Sequence, residues 1–180
     1  MKSVLISIQP KYCEFIVNGK KTIEVRKSMP KLERPFKCYI YMSQGDLKDL
    51  CSYSEWIYKN RMKVIGEFVC DIIELFTEYE LLYDGNYVEK ETRVPTEELL
   101  SYKGKNDFLY GWHISELKIY DKPKELSEFN RPCHIENKDC ENCIRYGKPY
   151  TWDFDEKKGT IYCTRRLNRP PQSYMFVEEV

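Results

Sequence analysis

From Val4 to Arg26 the hydrophobic period changes twice, which neither a single long helix nor a flat hairpin can accommodate. Val4 to Ile8 is a continuous apolar run and reads as a buried strand. Pro10 suits the first position of a helix, where its missing N–H costs nothing. Tyr12, Phe15 and Ile16 then recur at i, i+3 and i+4 as one apolar stripe, and Asn18-Gly19 is a helix stop. From Thr22 the period becomes two. Ile23 and Val25 share one face; Thr22, Glu24 and Arg26 share the other. A strand, a short helix and a second strand must therefore fold back around Gly19, leaving a hydroxyl, a carboxylate and a guanidinium on one side.

Downstream, strands dominate. Cys38 to Met42 reads as a strand after a loop at Pro30–Phe36, and Leu47 to Tyr58 as a helix. "VIGEFVCDIIELF", Val64 to Phe76, is too long and too β-branched for a simple helix and reads as a bent strand with Gly66 at the bend. Pro95 to Tyr102 predicts a short helix, Leu109 to Tyr120 a strand hinged at Gly111, and Tyr174 to Val177 a last strand. The expected class is α+β, mainly β: a small barrel of roughly five or six strands with short helices on its rim. The 180 residues predict a single domain over 1–180, interrupted by an insertion at 130–168. No segment approaches the ~20 apolar residues of a membrane span, and the first apolar run is too short for a signal peptide. These features predict a cytoplasmic protein without a membrane partner.

The formal net charge is zero, so the chain is not a general polyanion binder, but its charge is segregated. Residues 1–40 hold nine Lys/Arg against three Glu, and residues 67–98 hold ten acids against Lys90 and Arg93. Such segregation can create a local anion site on a neutral molecule, or it can mix in space into an ordinary solvated surface.

The insertion is chemically distinct. It holds Cys133, Cys140, Cys143 and Cys163, four of the eight cysteines, and little hydrophobic periodicity. Cys140-Glu-Asn-Cys143 is a C-x2-C knuckle of the kind that forms half of a structural zinc site, with Cys133 and Cys163 to complete it and His134 as a substitute ligand. A metal would supply the stability that so few apolar residues do not. The competing reading is four reduced thiols, since a cytoplasmic compartment disfavours disulfides.

The stretch "SIQPKYCEFIVNGKKTIEVRK", Ser7 to Lys27, resembles the signature of ASCH domains, a family with the PUA-like fold. Gln9-Pro10-Lys11 and Gly19-Lys20-Lys21-Thr22-Ile23-Glu24-Val25-Arg26 carry the resemblance. Val64 to Ile73, Gly111 to Phe129 and Arg169 to Glu179 are similar to the family's later segments, particularly in small phage and Firmicutes members. On this comparison 45–62, 77–108 and 130–168 are decoration. The resemblance implies a PUA-like barrel with a cleft between barrel and helices, and a role in binding RNA, a nucleotide or a modified nucleoside. One branch hydrolyses the amide of acetylated cytidine with a Thr nucleophile helped by a Lys. Lys21 matches that Lys, but Glu24 stands where the Thr does, and a carboxylate cannot replace a hydroxyl nucleophile without a change of mechanism.

The expected ligand-binding set is therefore Lys11, Tyr12, Lys21, Thr22, Glu24, Arg26, Trp112 and Tyr174. Lys21 and Arg26 would hold an anion, Glu24 would accept from a base, and the aromatic residues would stack it. Against this stand a salt-bridged exterior for the polar face and core packing for Trp112. His113 reads as a satisfied structural histidine. Two further functions stay open: a hydrolase acting on a modified nucleoside or RNA with Lys21 and Glu24 as its acid–base pair, and a protein-interaction module working through the Cys-rich insert.

Overall fold

The computed structural model describes residues 3–46, 53–131 and 167–179, together with the strand pair 152–155 and 160–163. Cys133, His134, Cys140 and Cys143 lie outside the described residues, and with them the zinc expectation and the interaction role of the insert.

The expected strand–helix–strand opening forms as β1 (Ser3–Ile8), α1 (Pro10–Val17) and β2 (Ile23–Arg26), with Pro10 in the first turn of the helix. They are followed by β3 (Phe36–Met42), α2 (Glu55–Asn60), β4 (Val64–Cys70) and β5 (Ile73–Thr77). Three short helices come next: α3 (Glu78–Tyr83), α4 (Gly85–Thr92) and α5 (Thr96–Lys103). The remaining strands are β6 (Phe108–His113), β7 (Ser115–Lys124), β8 (Phe129–Asn130), β9 (Trp152–Asp155), β10 (Thr160–Cys163) and β11 (Tyr174–Glu179). The molecule is mainly β with short helices. A curled six-stranded half-barrel, ordered β7-β4-β3-β1-β11-β8, is faced by a three-stranded sheet ordered β2-β6-β5, and β9 and β10 pair with each other.

β1 lies inside the half-barrel. It runs parallel to β3 and antiparallel to β11, and all of it but half-buried Ser7 is buried, with Val4, Leu5, Ile6 and Ile8 supplying its apolar surface. Val4, Ile6 and Ile8 face a core that also receives Cys13 and Ile16 of α1. Leu5 faces a second core with Tyr39, Val64 and Phe129. Trp112 of β6 ties the two sheets together. It is wholly buried, edge-on to Phe36 at 5.7 Å and tilted against Tyr174 at 5.4 Å.

The expected bends are only part of the picture. "VIGEFVCDIIELF" shifts register with both neighbouring strands beside Gly66, and it breaks at Asp71-Ile72, where its halves join different sheets. Ser115 Oγ donates to Asp71 Oδ1 at 2.8 Å across this break. Gly66 is also a site of close approach: a Cβ there would lie 2.5 Å from the Lys118 carbonyl oxygen of β7. The break in 109–120 likewise falls at Ile114 rather than Gly111.

The segment 77–108, read from sequence as decoration, is structural. Leu81, Val88 and Leu99, one from each of α3, α4 and α5, pack with Ile23, Val25, Phe76 and Leu109 into a separate core. The apolar face of β2 thus belongs to this core, beneath three helices. Its polar face consequently turns inward, toward the end of β1.

Candidate functional site

Backbone geometry brings Lys21 under α1. Gly19 adopts a left-handed conformation (φ +65°), its N–H donates to Ile16 O at 2.9 Å, and that of Lys20 donates to Phe15 O at 2.8 Å. These bonds close the helix and reverse the chain. The returning segment is then stitched to the end of α4. The Thr22 N–H donates to Glu91 O at 2.9 Å, Arg93 Nε donates to Lys20 O at 2.6 Å, and the Thr22 hydroxyl donates to the Glu91 carboxylate.

Lys21 is only 2% exposed. Its Nζ donates to the Thr92 carbonyl at 2.6 Å, lies 3.3 Å from Glu24 Oε2, and sits 5.2 Å from the centre of the Tyr12 ring. Burial pushes the ammonium below the usual lysine range, against the opposing pull of Glu24. Thr92 is the last residue of α4, so the ammonium rests at the negative end of a helix dipole. Glu24 bridges two cations, with Arg26 Nη2 2.9 Å from its Oε1. The same Nη2 donates to Ser7 O at 2.6 Å, at the end of β1. Arg26 Nε is buried and has no hydrogen-bond partner among the described residues.

The three charged groups line a cleft of about 620 Å³. Ser7, Ile8 and Gln9 form one wall, Glu98, Leu99, Ser101 and Tyr102 of α5 another, and Pro170, Pro171 and Gln172 a third. Tyr12 spans the first two by donating its hydroxyl to Glu98 Oε1 at 2.8 Å. Burial and the Glu98 hydrogen bond hold that phenol far above the usual tyrosine range, so it remains a neutral donor. Cys13, close by on α1, is no nucleophile: it is fully buried, burial pushes its thiol well up, and the thiol meets Ile8 O at 3.6 Å.

The structure assembles four of the eight expected ligand residues, Tyr12, Lys21, Glu24 and Arg26, on the cleft. The other four are not on its lining. Thr22 is exposed and turned to Glu91, because it precedes β2 instead of continuing its polar face. Lys11 is exposed, its Nζ 5.3 Å from the Tyr12 ring centre. Trp112 cannot stack a base because both neighbouring sheets bury it completely, and Tyr174 packs against it. His113, the expected structural histidine, has Nε2 2.8 Å from Glu74 Oε1. Sequence reasoning missed Glu98, Tyr102 and Pro171. The signals for them were the short helix expected over Pro95 to Tyr102, the acidic run 67–98 and the similarity noted over 169–179.

The Lys21 ammonium, which has three donors, meets Thr92 O and Glu24, and Arg26 keeps Nε without a partner among the described residues. Counted by side chain, the lining carries two cations, Lys21 and Arg26, and two carboxylates, Glu24 and Glu98. It is formally neutral. Among the described residues no helix is long and apolar enough to cross a membrane, and no His/Cys/Asp/Glu cluster is suited to a metal.

Comparison with known proteins follows the same outline. The crystal structure of an ASCH protein from Zymomonas mobilis superposes with a TM-score of 0.52 at 18% identity, over 69% of this chain and 74% of that one. A crystal structure of a point mutant of that protein gives 0.52 at 17% identity, over 70% and 77%. At this identity the likeness concerns the fold. No curated protein sequence matches the chain. The sequence profile of the ASCH domain matches residues 6–150, which include α1, β2 and the whole buried triad, and the chain belongs to the ASCH domain family.

Proposed function

We propose that this protein binds RNA, a nucleotide or a modified nucleoside, taking one base or nucleoside into the cleft between α1, β2 and α5. The observation that carries this reading is the Nε of buried Arg26 on the cleft lining, which has no partner among the described residues. Buried polar atoms are almost always hydrogen-bonded, and one left open beside a cavity is a natural contact for a ligand acceptor. The cleft volume falls within the ~300–1,000 Å³ typical of small-ligand sites. Its neutral lining suits an uncharged heterocycle, with Arg26 donating to a ring nitrogen or carbonyl and Tyr12 and Tyr102 offering aromatic faces. Phosphates would remain outside, near exposed Lys11 and Lys27, whose ammonium groups lie 5.3 and 4.7 Å from the Tyr12 and Tyr102 ring centres. Titration with single-stranded RNA oligonucleotides and a nucleoside panel tests this. Arg26→Lys, which keeps the charge and deletes Nε, should weaken binding by roughly tenfold, the worth of one charge-assisted hydrogen bond. Equal binding by wild type and variant, or none to any probe, overturns the reading.

A second reading is favoured by the burial of Lys21 on the cleft lining, which pushes its ammonium below the usual lysine range. An amine so placed in a cleft is a candidate general base. In this reading Lys21 takes a proton from water attacking an amide or phosphodiester of the bound ligand, and Glu24 stabilises the ammonium that forms. Lys21→Met would then abolish hydrolysis of an N-acylated nucleoside or RNA while leaving its binding measurable.

A further inference from the structure

Half of the large apolar side chains exposed on the described residues cluster away from the cleft. Of ten, Leu75, Tyr79, Leu82, Tyr83 and Tyr87 fall between residues 75 and 87. Tyr79 and Tyr83 stack at 4.5 Å along α3 and are 63% and 73% exposed, so their rings pack on each other while facing solvent. Leu82, three residues on from Tyr79, is 57% exposed. Exposed apolar side chains gathered in this way mark interaction surfaces.

Beside this face lies a depression of about 350 Å³ lined by Glu74, Leu75, Phe76, Glu80, Asp84 and Tyr87, with Val88 at its base. It shares no residue with the cleft. Its lining carries three carboxylates, Glu74, Glu80 and Asp84, and no Lys or Arg. β5, which contributes Glu74, Leu75 and Phe76, is an edge strand of its sheet among the described residues. An edge strand presents a row of backbone donors and acceptors to any extended segment laid against it.

We infer that the β5–α3 face docks an extended basic protein segment in which Lys or Arg alternates with apolar residues. The edge strand accounts for the extended conformation. Residues on one side of such a segment would lie over Leu75, Tyr79 and Tyr83, and cationic residues would meet Asp84 and Glu74, whose Oε1 also accepts from Tyr87 at 3.2 Å and lies 2.8 Å from His113 Nε2. The acidic rim selects a cationic partner and repels phosphate, so RNA is not the occupant.

The probes are fluorescein-labelled peptides about twelve residues long, enough to span β5, of alternating Lys–Leu, alternating Lys–Ser and alternating Glu–Leu. Anisotropy should show the Lys–Leu peptide binding, the Lys–Ser peptide binding at least roughly tenfold more weakly, and the Glu–Leu peptide not binding. Tyr79→Ser/Tyr83→Ser and Glu74→Gln/Asp84→Asn should each weaken the Lys–Leu complex by roughly tenfold, and added salt should weaken it further. Amide shift mapping on the wild-type protein, which needs no variant to fold, should place the perturbed resonances within 72–89. Lys–Ser binding as tight as Lys–Leu, affinity unchanged in both double variants, or shifts elsewhere would overturn the proposal. So would a wild-type dimer in sedimentation that Tyr79→Ser/Tyr83→Ser dissociates, because the face would then serve a second copy of the chain.

Discussion

Replacing Glu24 by glutamine should destabilise the protein more than replacing Lys21 by methionine, although Lys21 is the more deeply buried. Glu24 is the middle member of the triad, with side-chain nitrogens of Lys21 and Arg26 at 3.3 and 2.9 Å. The glutamine leaves two buried cations facing each other without a counter-charge, a situation that costs about 3–5 kcal/mol. Lys21→Met leaves the Glu24–Arg26 pair intact and orphans chiefly the Thr92 carbonyl, a loss of about 1–3 kcal/mol. The two variants also differ in pH dependence. Burial depresses the Lys21 ammonium in the folded protein, so between that lowered value and the ordinary value near 10.5 the unfolded chain holds a proton that the folded chain has released. Stability therefore rises with pH through this window. Glu24 is the main group working against the depression, so without it the window opens at lower pH. The deficit of Glu24→Gln relative to wild type should shrink as pH rises toward the ordinary lysine value near 10.5. Urea unfolding followed by circular dichroism, with unchanged m-values, measures both effects. A cost for Glu24→Gln below that of Lys21→Met, or a deficit that widens with pH, would refute the placement of Glu24 as the shared counter-charge.

Gly66→Ala should cost about 1–3 kcal/mol, because the new methyl would meet the Lys118 backbone carbonyl at 2.5 Å and a strand cannot move aside as a side chain can; thermal melting of the variant checks this. The thiols of Cys13, Cys38 and Cys70 should resist alkylation near pH 8 in the native protein and react only on unfolding. All three are buried, Cys70 is pushed up to about 12 chiefly by burial, and Cys13 and Cys38 are pushed well up. Mass spectrometry of peptides after a timed iodoacetamide pulse would expose an error, as label on any of these three in the folded state.

The opening motif was legible because its signals are local. Pro10, the stripe of Tyr12, Phe15 and Ile16, Gly19, and the alternation from Thr22 each act within a few residues, and together they placed Lys21, Glu24 and Arg26. What the sequence obscured depends on distant partners. Glu98 reaches Tyr12 across 86 positions, a pairing that no periodicity encodes. α3 and α4 each bury few residues, Leu81 in one and Val88 with Thr92 in the other, so their apolar stripes are too thin to stand out. Trp112 shows a different limit. Alternation along β6 assigns it a face, but that face points at a second sheet, and only the packing of the two sheets distinguishes a core tryptophan from one lining a cleft. Likewise "VIGEFVCDIIELF" is apolar on both sides of Asp71, so nothing in its composition marks where one sheet is left for another.

The position of β1 between β3 and β11 has a consequence for timing. Ser3 pairs with Val177, the Ser7 N–H donates to Ser173 O at 3.1 Å, and the Ser7 hydroxyl donates to Pro171 O at 2.6 Å. During synthesis the residues that give the cleft its charge emerge early, while Pro170, Pro171 and Gln172, which close its third wall, emerge near the end of this chain. Until β11 docks, β1 lacks one of its two neighbours and Arg26 lies at an unfinished wall. Contacts between such remote segments carry a large loop-closure entropy and form late. A nascent or truncated chain that stops before Pro170 would therefore carry every residue of the signature while its cleft still lacked a wall, so the cleft is complete only once β11 has docked.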